Sequence, residues 1–355
     1  MTKAIKAAQG DRTPRRRREV PRIVWPVLAL AAVLLFNALF TEGFFDIEVR
    51  DGRLFGSLID VLNRSVPVVL LAMGMTLVIG TGGIDLSVGA VMAISATMAA
   101  SLIARPDYSV LSGIDLGGSV ALVLVATLAV AALCGVWNGL LVTRLDMQPI
   151  VATLILMVAG RGLAQVLSDG QRVPFADETL IFLGRGAVLG LPLPVFVAAG
   201  AFGATWLLTR RTALGLFIEA VGNNPSASRA AGLPARKVKV LCYAYCGLCA
   251  GVAGVIVAAD NAVAVPSTFG ELKELDAILA VCIGGTALTG GRFSLVGSLI
   301  GAVLIQALTT TILTLAIPRE VTLVVEAVIV VVVCLLQSPR FAALFVRRRA
   351  AGGAA

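Results

Sequence analysis

The chain has 355 residues, 58% of them hydrophobic and 14% charged, with mean hydropathy +0.95 and formal net charge +8. Soluble domains run about 45–50% apolar and about 25% charged, so this composition falls outside the water-soluble class. The absence of histidine excludes a Ser-His-Asp or Cys-His nucleophile, a histidine metal site and an imidazole pH switch.

At about 20 apolar residues per crossing, the chain predicts an all-α polytopic membrane protein of about ten transmembrane helices. Apolar runs between charge clusters place them at 24–41, 65–81, 86–104, 117–143, 149–168, 191–209, 239–260, 274–291, 294–316 and 321–337. Gly-Gly pairs interrupt 65–104 and 274–316, so counts of nine to eleven stay open. The tail 1–22 carries a net +6, and the run after it begins behind four arginines, as a signal peptide does. That run is too long for a signal core and lacks a small-residue cleavage site, so a retained first span is expected. Residues 42–64 carry five acids against three bases, which suits the outer side.

Between the second and third runs stands Thr81-Gly82-Gly83-Ile84-Asp85-Leu86-Ser87-Val88-Gly89. Two glycines break a helix cheaply. Asp85 can accept from the first free N–H groups of the following helix. A charge at membrane depth costs about 2.5–3.5 kcal/mol on insertion scales, so Asp85 should face protein or water. It reads as a buried cap, as a lining of a transport path beside Gly82, Gly83 and Ser87, or as both. Further on, Trp137 and Asn138 offer an apolar ring and an amide at depth, chemistry that a sugar site uses and that ordinary helix packing uses too. Arg161 lies in the fifth span, with Glu326 of the last as a conceivable partner.

The loop 210–239 carries a net +5. Within it, Glu219, Gly222 and Asn223 lead into a complete short helix. Asn224 is a capping residue, Pro225 suits the first helical position, Gly232 suits the stop and Pro234 forbids continuation. With Ala227, Ala230 and Ala231 on a smooth side and Arg229 beside them, so short a helix must pack on its own domain or on a partner. The six cysteines all lie in predicted spans. Cys242, Cys246 and Cys249 share a helix face and read as packing residues, with a soft-metal site as the weaker alternative. A third block runs from Glu274 and Asp276 through Gly284-Gly285 to Gly290-Gly291-Arg292, a second irregular turn.

The C-terminal tail, 340–355, carries a net +4. Cytoplasmic segments retain Lys and Arg, so both tails and the loop 210–239 are expected inside, which requires an even number of spans. The charge is thus a record of topology, and no nucleic-acid partner is expected. Two halves of opposite orientation would fit an inverted repeat, although no residue-level repeat stands out. No G-x-x-x-x-G-K-[ST] phosphate loop occurs. The residues alone leave a transporter, including an ion-gradient-driven carrier using Asp85 and Glu326, or a non-transporting anchor.

Met75-Thr76-Leu77-Val78-Ile79 with Gly82-Gly83-Ile84-Asp85-Leu86-Ser87-Val88-Gly89 resembles the signature of ribose-type ABC sugar importer permeases. The run from Glu219 to Leu233 is similar to that family's loop to its ATPase, and Glu274-Leu275-Asp276-Ala277-Ile278 with Gly284-Gly285-Thr286 and Gly290-Gly291 to its third hallmark. Asp51-Gly52-Arg53-Leu54-Phe55-Gly56-Ser57 and Leu62-Asn63-Arg64 most resemble the galactofuranose-type members. The resemblance implies a single transmembrane domain, 23–339, between the basic tails 1–22 and 340–355, in the bacterial inner membrane and in contact with lipid. It implies no catalytic residue, metal or cofactor in this chain, with ATP and Mg bound by a partner ATPase docked at 210–239. The other implied partners are a second permease copy or paralogue and a periplasmic sugar-binding protein.

Overall fold

The computed structural model describes residues 23–41, 43–50 and 52–315, with scattered helical positions between 324 and 335. The basic tails, Glu326, Cys334 and most of the predicted tenth span lie outside the described residues.

Among the described residues the protein is helical, with only two- and three-residue strand pairs in its connections. Helix α1 (Val24–Phe40) is followed by a small antiparallel hairpin, β1 (Glu48–Arg50) with β2 (Arg53–Phe55). Helix α2 (Ser57–Gly80) starts well before the predicted 65, because Asp60 and Arg64 are exposed positions on a helix and not a loop. Then come α3 (Val88–Ala104), α4 (Val120–Arg144) and α5 (Pro149–Leu167). A short amphipathic helix, α6 (Glu178–Arg185), occupies a connection expected to be loop. Helix α7 (Leu193–Arg211) leads to two short helices, α8 (Leu214–Asn223) and α9 (Pro225–Ala230), and then to α10 (Ala235–Asn261). The series closes with α11 (Lys273–Ile283) and α12 (Leu295–Thr314).

Six of these helices (α2, α4, α5, α7, α10 and α12) are long and apolar enough to cross a membrane, while α1, α3 and α8 are shorter apolar helices. The predicted eighth span, 274–291, is corrected: α11 stops at Ile283 and the chain is irregular from 284 to 294. Eleven residues rise about 16 Å, half of a hydrocarbon core of about 30 Å. The helix ends at the Gly284-Gly285 pair, where the irregular turn was expected; hydropathy carried the span on to 291 because the glycines continue an apolar run without continuing a helix.

The core is built around α10, which packs on α2, α3 and α4. Lipid offers no hydrophobic drive for helix association, so close backbone approach between small residues substitutes for it. Gly135 and Gly139 of α4 lie against the α10 backbone at Tyr243 and Val240, and Gly247 and Gly251 of α10 lie against Ala131. A Cβ at Gly135 or Gly247 would overlap main-chain atoms of the other helix. Asn37 ties α1 to α12 through a buried Nδ2–H donated to Thr311 Oγ1 at 2.7 Å. The outward faces of α1, α4, α5 and α7 expose Leu35, Leu39, Val125, Leu133, Val158 and Leu207, an apolar surface suited to lipid. The chain is a multi-pass membrane protein.

Candidate functional site

The first signature block folds as a broken helix. Helix α2 ends at Gly80, and Gly82, at φ +80°, turns the chain so that Gly83 N–H returns to Val78 O at 3.1 Å. This is a glycine-dependent C-terminal cap. Asp85 then sits 1% exposed, accepting from Ser87 N at 3.0 Å, Ser87 Oγ at 2.6 Å and Asn138 Nδ2 at 3.2 Å. Asn138, fully buried on α4, also donates to Ser87 Oγ at 2.8 Å. From α10, Tyr243 Oη donates to Ile84 O at 3.4 Å. Helix α3 therefore begins about 9–12 Å inside the ends of α4 and α10, counted along each helix from Asn138 and Tyr243.

The second block is two helices, not one. The prediction for 224–232 holds in detail: Asn224 Oδ1 accepts from Ser226 N at 3.1 Å and Ala227 N at 2.9 Å, and Pro225 opens α9. Ala231 ends it, and Gly232, at φ +81°, lets Leu233 N–H reach Ser228 O at 2.9 Å. Glu219, Gly222 and Asn223, however, form the last turns of α8, whose Ile218 and Val221 are fully buried. Arg229 is exposed and donates to Ser226 Oγ at 3.2 Å.

The three blocks meet at one point. Gly291 N–H donates to Gly80 O at 3.0 Å, joining the irregular segment after α11 to the end of α2. Gly222 is wedged beneath that bond, where a Cβ would overlap both Gly80 O and Gly291 N. A Cβ on Gly290 would come within 2.8 Å of Gly82 N and Cα, and one on Gly291 within 2.6 Å of Asn223 Oδ1. Gly290 and Gly291 also hold φ of +87° and +93°, which side chains rarely adopt. Three lengths of backbone, at Gly80–Gly82, at Gly222 and at Gly290–Gly291, thus touch with no side chain between them.

A second junction forms at the start of α11. After α10, β6 (Val263–Ala264) pairs with β3 (Val173–Pro174), and residues 265–272 turn back into the molecule. Gly270 and Gly89 touch backbone to backbone. Arg161 donates from Nη1 to Phe269 O and from Nη2 to Gly270 O, both at 2.6 Å. Glu274, 8% exposed, faces the same spot. Arg161 is therefore held by backbone carbonyls; its conceivable partner Glu326 lies outside the described residues. Lysine has no planar fork, so Arg161→Lys, like Arg161→Ala, should free residues 265–272. The expected result is faster amide exchange there, at a cost of about 2–3 kcal/mol; unchanged exchange would count against the clamp.

Beyond this junction, a cavity of about 340 Å³ opens between α2, α10, α12 and residues 268–273. Among its lining residues are Asn63, Arg64, Asp260 and Gln306, none of which was singled out as a site residue from sequence. The available signal was a polar residue inside or bordering an apolar run, as with Gln306 in the predicted span 294–316.

The family described as branched-chain amino acid transport system / permease component matches residues 57–334. The chain belongs to this permease family. It is 51% identical over 333 residues to a galactofuranose transporter permease protein of Escherichia coli (strain K12), covering 94% of each chain. It is 38% identical over 324 residues to a fructose import permease protein of Bifidobacterium longum, covering 90% of this chain and 88% of the relative. A ribose import permease protein of Escherichia coli (strain K12) is 34% identical over 318 residues, covering 88% of this chain and 93% of the relative. No solved structure matches.

Among the permease residues singled out from sequence, Gly82, Gly83, Asp85, Ser87 and Asn138 come together around the helix break. Trp137 does not join them: it is 54% exposed on the outer face of α4. Asp276 binds Lys273 Nζ at 2.7 Å on α11, and Gly284 packs on Gly297 at the start of α12, with Gly285 turning at φ +86°. Cys242, Cys246 and Cys249 are buried free thiols, and among the described residues no cluster of three metal-ligating side chains occurs.

Proposed function

We propose that this permease is the membrane-spanning subunit of a binding-protein-dependent ABC importer that carries a monosaccharide, galactofuranose, ribose or a similar sugar, across the bacterial inner membrane. The observation that carries the reading is the contact of Gly222, on the basic loop, with the backbone at Gly80 and Gly291. A push on α9 has no compressible side chain to absorb it before it reaches the helix break and the segment after α11. In this reading ATP and Mg are bound by a separate cytoplasmic ATPase, docked on the exposed residues of 223–234. A second permease copy or paralogue completes the pathway, and a periplasmic protein delivers the sugar. Both termini on the inside suit that arrangement, since the loop 210–239 and both tails then share the cytoplasmic side. A gradient-driven carrier draws no support from Asp85, whose oxygen is occupied by protein donors.

Arg229 gives a clean test, because its side chain is exposed and removing it leaves no buried group unpaired. Arg229→Glu should change stability by no more than about 0.5 kcal/mol, yet prevent co-purification of the ATPase and ATP-dependent uptake. Normal coupled uptake by this variant would reject the docking surface.

A further inference from the structure

The cavity between α2, α10, α12 and residues 268–273 is a feature that the coupling geometry leaves unexplained. We propose that it is a transit site for a neutral polyhydroxylated ligand, a sugar without an ionised group; this deepens the importer reading and rests on it. Its volume of about 340 Å³ lies at the lower end of small-ligand pockets, about 300–1,000 Å³.

The wall is chemically mixed in the way a polyol requires. Asn63 on α2 has a buried side-chain oxygen with no hydrogen-bond partner. An unmet buried acceptor is costly, and a ligand hydroxyl can meet it. Gln306, 8% exposed on α12, lines the facing wall and donates to Thr310 Oγ1 at 3.3 Å. Apolar contact comes from Val68, Met92 and Phe269, which suit the C–H faces of a sugar ring. Phe269 is fixed through its carbonyl by Arg161, so that side of the cavity is braced from α5.

Charge selects the ligand class. The wall holds two bases, Arg64 and Lys273, and two acids, Asp260 and Glu271. Behind it, Asp276 pairs with Lys273 and Arg185 stands beside Asp260, adding one charge of each sign. Asp60, exposed on α2, also acts on Asp260, but through solvent. A ligand with a carboxylate, phosphate or ammonium group would meet charges of both signs in equal number there, so no net attraction offsets its lost hydration. Hydroxyl groups meet donors and acceptors of both kinds.

The test uses the full-length permease with its co-purified partners in proteoliposomes. A thiol placed by Thr268→Cys is labelled with a charged methanethiosulfonate reagent, with the unsubstituted chain as background. D-galactose or D-ribose should slow labelling, while galacturonate and galactosamine should not. Arg64→Gln should shift protection toward galactosamine, and Asp260→Asn toward galacturonate, each by about tenfold, the upper worth of one hydrogen bond. The double variant should restore the preference for neutral sugars. If neutral sugars are transported by the complex yet never slow labelling, the cavity assignment falls and the importer reading stands. Equal protection by galacturonate would overturn the neutral-ligand assignment, and a complex that carries no sugar with ATP would overturn the importer reading itself.

Discussion

Gly222→Ala is expected to abolish ATP-coupled uptake and to destabilise the permease by about 3 kcal/mol or more. Small-to-large changes in a packed site typically cost about 1–3 kcal/mol by displacing side chains. Here the obstacles are Gly80 O and Gly291 N, main-chain atoms that already bond to each other. Relief requires moving α8 away from the helix break, which disconnects α9 from the transmembrane helices. Gly232→Ala is the control. That glycine has φ +81° but open space around its missing Cβ, so the change should cost only about 1–2 kcal/mol of local backbone strain. Thermal unfolding in detergent and uptake in proteoliposomes, measured on both variants, check the contrast. Equal effects would show that the close approach at Gly222 does not carry the junction.

The second large effect belongs to Asp85. Its Oδ1 gathers Ser87 N–H, Ser87 Oγ–H and Asn138 Nδ2–H in a fully enclosed position. Asp85→Ala leaves these donors without their acceptor, at about 1–3 kcal/mol for each buried group so stranded. Ser87 Oγ also accepts from Asn138, so part of the network can regroup, and the expected loss is about 3–4 kcal/mol in total. Helix α3 should then fray at its start, with faster amide exchange over 85–90. Asn138→Ala should cost less, and the double variant should lose less than the two single losses added, because all three residues share one network. Additive losses would mean that Asp85 and Asn138 act separately. Asp85 therefore acts by holding the break in shape, at the point where α2, α4 and α10 converge.

These two sites share a design. At the Gly222 junction backbone is packed against backbone, and at the Asp85 network one carboxylate ties the start of α3 to α4. Neither has slack, so a displacement of α9 must move helices as units or not at all.

Local chemistry was legible in the sequence because its cause lies within a few residues. Asn224, Pro225 and Gly232 mark the start and stop of α9 by capping rules that need no neighbour, and Gly82 marks the end of α2 for the same reason. Family membership was legible too, since the three motif blocks are short and contiguous. What only the tertiary structure decided depends on residues far apart in the chain. Gly80, Gly222 and Gly291 meet across more than 200 positions, and nothing at any one of them announces the other two. Arg161 took backbone carbonyls at 269 and 270 as partners, which leave no trace in side-chain identity. Trp137 turned outward while its neighbour Asn138 turned in, because a helix apolar all round has no periodicity to say which face is buried. The end of α11 at Ile283 was marked locally too, by the Gly284-Gly285 pair, and only hydropathy ran on to 291: it measures whether a segment tolerates lipid, and a packed glycine loop tolerates it as well as a helix when protein encloses its polar backbone.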